Sequence, residues 1–126
     1  MSGSDTHAAH LQSSDRRRVL TTAVLNAARI MGLRQAQLAR ILGVSEATVS
    51  RMKQGAWQPT EHSKTWELAA LLVRLFRGLD ALMASDDRAL QSWLHSRNQA
   101  LGDAPVNLLH RVEGLVRTVE YVDAYR

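Results

Sequence analysis

Residues 35–55 read QAQLARILGVSEATVSRMKQG, and this stretch decides how the rest of the chain is understood. Leu38, Ala39, Ile41 and Leu42 recur at helical spacing, and Gly43 follows where a helix most easily stops and reverses. Ser45 is then placed to accept a hydrogen bond from a free backbone N–H of a second helix. Glu46 follows in the first turn, where the helix dipole favours negative charge, and Gly55 closes the unit. Val49 and Met52 face inward on this reading. Ala47, Thr48, Ser50, Arg51 and Lys53 point mostly outward, giving a small, polar and basic face of the kind that enters a DNA major groove, with Gln35 capping its helix or touching a phosphate.

Two short helices joined by a glycine turn make a helix-turn-helix, and the letters resemble the Xre and phage-repressor family. They are Gln35, Ala39, Gly43-Val44-Ser45, Thr48-Val49-Ser50-Arg51 and Gly55, in order and without insertion. The resemblance implies that Glu46, Ala47 and Arg51 read bases, while Thr48, Ser50 and Lys53 lie nearer the backbone. Glu46 repels phosphate, yet it can accept from a cytosine amine.

Charge supports a divided chain. Of 126 residues with a net charge of +4, residues 1–63 hold eight Arg or Lys against four Asp or Glu, whereas residues 64–126 hold eight against eight. The excess sits in the half with the helix-turn-helix, so the first half is suited to phosphates and the second to something else. The same modest charge also serves solubility. With no cysteine there is no disulfide framework and no thiolate zinc site. The longest apolar run, Leu68 to Val73, is far short of a bilayer span, and the first residues lack the layout of a signal peptide, so the expectation is a soluble, cytoplasmic protein with no membrane role.

Working outward, residues 1–14 are small and polar without a period and are expected to be a disordered lead-in; His7 and His10 within them lack a third metal ligand. Asp15 is positioned to cap a helix from about Arg16 to Met31, with Val19, Leu20, Val24, Ala27, Ala28 and Met31 on its apolar face. The Arg16-Arg17-Arg18 triplet suits either phosphate binding or a solvated helix start. After Gly55 comes a Pro-containing loop in which Trp57 can wedge against the helix-turn-helix. A long helix from about Lys64 to Met83 follows, apolar well beyond one stripe. That excess suggests a second subunit, or else the central helix of a monomeric bundle; two half-sites on DNA favour the homodimer. Ser85-Asp86-Asp87 starts a helix to about Arg97, Pro105 starts a short one to about Arg111, and a last helix begins near Gly114 and runs to Arg126. The expected fold is all-α: a helix-turn-helix domain over residues 15–63 and a helical dimerisation and partner-binding domain over 64–126.

The second half also has a family likeness. Trp93-Leu94, Leu101-Gly102, Pro105, Leu108-Leu109, Gly114 and Val119 resemble the toxin-binding domain of MbcA/ParS/Xre antitoxins, which follows a helix-turn-helix of the Xre kind. The resemblance implies a partner toxin of the RES type, which consumes NAD+, neutralised when the C-terminal part covers the approach to its active site. It also implies repression of the chain's own promoter. Carried onto this sequence, the toxin-facing residues are Arg117, Tyr121, Tyr125 and Arg126, the last with a planar fork that pairs with carboxylates. Removing the chain from Gly114 onward is expected to release the toxin and spare DNA binding. The alternative is a dimeric repressor with no toxin partner. An enzyme is not expected, because there is no Gly-rich phosphate loop, no H-x-x-x-H or cysteine metal set, and no Ser/His pair at a recognisable turn. No cofactor is implied, and His62, His95 and His110 stand alone.

Overall fold

The computed structural model describes residues 2–126, with side chains from Gln12 onward. The described residues form seven helices and no strand: α1 (Ser2–Ile30), α2 (Gln35–Leu42), α3 (Glu46–Lys53), α4 (Lys64–Leu82), α5 (Asp87–His95), α6 (Pro105–Leu108) and α7 (Val112–Asp123). His7, His10 and most of the expected lead-in lie outside the residues whose side chains are described. Asp15 is not a cap: it sits within α1, and its carboxylate accepts from Arg18 Nη2 at 2.8 Å.

The core forms because each helix carries its apolar residues on the side that meets a neighbour. Val24, Ala27, Ala28 and Met31 of α1 are buried, with Leu38, Ile41 and Leu42 of α2, Val49 and Met52 of α3, and Leu72, Leu75 and Leu79 of α4. The same cluster continues without a break through Leu90 and Leu94 of α5 to Leu115, Val119 and Val122 of α7. Val19 is the exception on α1, at 62% exposure. Helix α4 is the shared element, packed by α1 and by α7 of the same chain. Much of its wide apolar circumference is therefore covered within one chain, with Leu82 and Ala70 left exposed.

Helix ends follow local chemistry. Ser63 accepts from Trp66 N at 3.2 Å and Asp86 from Ala89 N at 3.1 Å, each satisfying an orphan N–H of the helix it starts. Helix α7 begins at Val112 rather than near Gly114 and ends at Asp123 rather than Arg126. Gly114 lies inside its first turn because the Leu108 carbonyl oxygen would stand 2.0 Å from a β-carbon there. Only glycine admits that approach of α6 to α7. Gly78 does the same for α4 and α7, where a β-carbon would meet Val122 Cγ1 at 2.8 Å.

Candidate functional site

Gly43 ends α2 in the left-handed conformation (φ 69°, ψ 34°), and Val44 N returns to Ala39 O at 3.0 Å, so the chain turns sharply into α3. Ser45 caps α3 as expected, accepting from Thr48 N at 3.1 Å. Glu46, Ala47, Arg51 and Lys53 are exposed and Ser50 is half-buried. Thr48 turns inward instead: it is buried, its hydroxyl lies 3.0 Å from Ser45 Oγ, and it accepts from Arg51 Nη2 at 3.0 Å. Period alone put it outward, but a threonine three residues past a serine cap gains more from the cap hydroxyl than from solvent.

Gln35 does not cap α2, whose start is closed by Gln37 Oε1 accepting from Arg34 N at 2.9 Å. Gln35 ties α2 to α3: its amide donates to Glu46 O at 3.0 Å and its carbonyl accepts from Lys53 Nζ at 3.1 Å. Arg51, Gln35 and Lys53 are thus held on one surface before any ligand arrives, which lowers the entropy lost on binding.

The arginine triplet does not face outward as a unit. Arg16 pairs with Glu61 through Nε–Oε1 at 2.7 Å, and Arg17 donates to the Pro59 and Gln58 carbonyls at 2.9 Å each. Together with Ser13 Oγ donating to Glu61 at 2.6 Å, they clamp the loop after α3 onto α1. Arg16, and then Ser13, stabilise the Glu61 carboxylate and pull its pKa from 4.5 to about 2. Trp57, in the same loop, packs half-buried against the core as its position suggested.

The second surface lies at the C-terminal ends of α4 and α7 with the middle of α5. Trp93 stacks on Tyr121 (centroids 6.3 Å apart, planes at 23°), and Tyr121 meets Tyr125 at 5.2 Å and 59°. With Leu82 and Met83 they border a hollow of about 270 Å³. Tyr125 and Leu82 are 63% and 42% exposed, an apolar and aromatic ledge in contact with solvent. Arg126 follows Tyr125 but packs over Gly78 and lines the opening between α1 and α4, with Nη1 3.7 Å from Asp123 Oδ1. Arg117 belongs elsewhere: it donates to the Leu101 and Ala100 carbonyls at 3.2 and 3.1 Å and holds the α5–α6 loop. Sequence reasoning named the two tyrosines but not Trp93, Leu82 and Met83 as their neighbours. The apolar excess at the end of α4 was the signal available for the last two.

The halves are joined through polar groups. Gln91 Nε2 donates to Ile30 O at 2.7 Å and His95 Nε2 lies 3.2 Å from Met31 O, so α5 covers the open carbonyls at the end of α1. His110, before α7, has Nε2 buried with no partner; burial, and then the nearby Arg40, lower its pKa below the usual 6.5.

A sharply turned helix pair with an ordered polar and basic face, continuous with a helical module bearing an aromatic ledge, defines a helix-turn-helix protein with a second binding half. Two family comparisons make this specific. Residues 10–74 match the antitoxin Xre-like helix-turn-helix domain and residues 73–126 the antitoxin Xre/MbcA/ParS C-terminal toxin-binding domain. The chain belongs to the Xre family of antitoxins. The two matches meet within α4. Comparison with curated proteins finds no match. No helix of the described residues is long and apolar enough to cross a membrane.

Proposed function

We propose that this antitoxin neutralises a RES-type, NAD+-consuming toxin by covering the approach to its active site with the end of α7, and that it represses its own operon as a homodimer through α3. The observation that carries the first part is the ledge of Trp93, Tyr121 and Tyr125 at the end of α7. An exposed Tyr125 backed by half-buried Tyr121 and Trp93 has the aromatic composition of a binding hot spot, and the fork of Arg126, the next residue, suits carboxylates around a dinucleotide pocket. For the second part, Arg51 and Lys53 stand exposed on a braced α3, and paired copies span two half-sites. Residues Glu46, Ala47 and Arg51 are assigned to bases, and Ser50 and Lys53 to the backbone. Ser45 and Thr48 serve by building the cap that aims Arg51, and Gln35 by bracing Lys53. Arg117, although first counted among toxin contacts, acts by holding the loop behind the ledge.

Removing α7 from Gly114 is not a usable test, because Leu115, Val119 and Val122 belong to the core. The paired variant Tyr121→Ala/Tyr125→Ala keeps those residues. Expressed with the toxin encoded beside it, this variant is expected to permit growth arrest and NAD+ loss while retaining operator affinity; full neutralisation by the variant would refute the assignment. Arg51→Ala is expected to do the reverse. It should weaken the specific operator by about 1–3 kcal/mol if the guanidinium holds a base edge, with protection from the toxin unchanged. A gel-shift titration at fixed salt reads the first and growth the second.

A further inference from the structure

A groove that shares Arg126 with the proposed toxin-facing surface runs between α1 and α4, with a volume of about 670 Å³, within the range of pockets that take small organic molecules. Its floor is apolar: Val19, Leu20 and Ala23 from α1, and Trp66, Ala70 and Val73 from α4. The facing alanines leave the depth. Val19 stands 62% exposed on its edge, an apolar side chain with nothing over it.

The charges around this floor are uneven. Arg16, at the Trp66 end, is neutralised by Glu61. Arg74, Arg77 and Arg126 line the groove further along, and Arg77 is 11 residues past Trp66, about 16 Å on a helix. Arg74 and Arg126 share one carboxylate, Asp123, and Arg77 has no carboxylate partner among the described residues. Asp15, the acidic residue that lines the groove, is paired with Arg18. The groove is therefore apolar at one end and carries uncompensated guanidinium at the other.

We propose that the α1–α4 groove binds a free amphipathic carboxylate, its apolar body on Val19, Ala23, Ala70 and Trp66 and its head on Arg77 beside Arg74 and Arg126. A carboxylate matches the guanidinium fork, and one head group meets the groove arginine that has no carboxylate partner among the described residues.

The experiment is calorimetric titration of submicellar decanoate into the full chain, with decanol as the uncharged comparison. Saturable one-to-one binding is expected, with decanol at least about tenfold weaker, since a charge-assisted pair is worth that factor or more. Arg77→Glu, at an exposed position, should lose a similar factor, and Ala70→Trp, which fills the floor, should abolish binding. If Ala70→Trp fails to fold, Arg77→Glu and decanol still decide. Equal binding of decanol, indifference to Arg77→Glu, or absence of saturable binding overturns the proposal. So does a dimer in light scattering that Ala70→Trp disperses, for then a second copy fills the groove.

Discussion

Gly43 in the first half of the chain and Gly114 in the second serve different purposes. Gly43, between α2 and α3, is needed for its conformation: φ is +69°, yet a β-carbon there would touch nothing closer than Leu68 Cδ1 at 4.0 Å. Gly114 is the opposite case, in ordinary helical backbone with the Leu108 carbonyl where a side chain would be. The α2–α3 turn is thus shaped by a local torsion and the α6–α7 junction by a close approach between elements, while Gly102 before α6 is again a torsional case, at φ +84°.

That contrast is broken or upheld most directly by Gly114→Ala. The new methyl meets backbone that cannot swing aside, so α6 and α7 must separate, and the buried Leu109, Leu115 and Val119 around them lose packing. We expect a loss of about 3 kcal/mol or more, read by chemical denaturation, out of a total stability on the order of 5–15 kcal/mol. A loss under about 1 kcal/mol would mean that α6 yields easily and that glycine is not a spatial requirement there. Gly43→Ala should cost less, about 1–2 kcal/mol, the penalty of a left-handed L-residue with room for its side chain. An equal or larger loss than at Gly114 would erase the distinction between the two positions.

The same distinction explains what the sequence made legible. The helix-turn-helix announces itself because its determinants are neighbours: the stop at Gly43, the cap at Ser45 and the inward pair Val49 and Met52 lie within ten residues, and all stand where spacing put them. In the C-terminal half the helices were foreseen, but α7 was begun late, because a glycine in a helix start reads as a boundary until the Leu108 carbonyl is in view. Side-chain roles were harder in both halves. Thr48, Gln35, Arg16 and Arg17 make hydrogen bonds within the chain, and Arg117 holds loop carbonyls 16 and 17 residues away. No periodicity carries such partners. The ledge was half legible, since Tyr121 and Tyr125 share a helix whereas Trp93 arrives from α5.

Acid separates the halves by a smaller effect with two windows. His110 has a folded pKa depressed below 6.5 by burial, so the folded state resists its protonation; its contribution is present above 6.5 and is lost as pH falls below that. Glu61 is also depressed, from 4.5 to about 2, by Arg16 and Ser13; its contribution is complete above 4.5 and is lost as pH falls toward 2. The order follows: mild acid charges the buried imidazole ahead of α7 while the loop clamp on α1 persists, and the clamp yields only in stronger acid. Thermal unfolding of the wild type between pH 7 and pH 3 should show this as a decline that begins below 6.5 and steepens below 4.5. His110→Leu should remove the first part and Glu61→Gln should lessen the second, which Asp103 and Glu113, both also lowered by hydrogen bonds, share. If His110→Leu leaves the decline between pH 6.5 and 4.5 in place, another group controls that window, and the unpartnered imidazole is not the acid-sensitive point of the C-terminal half.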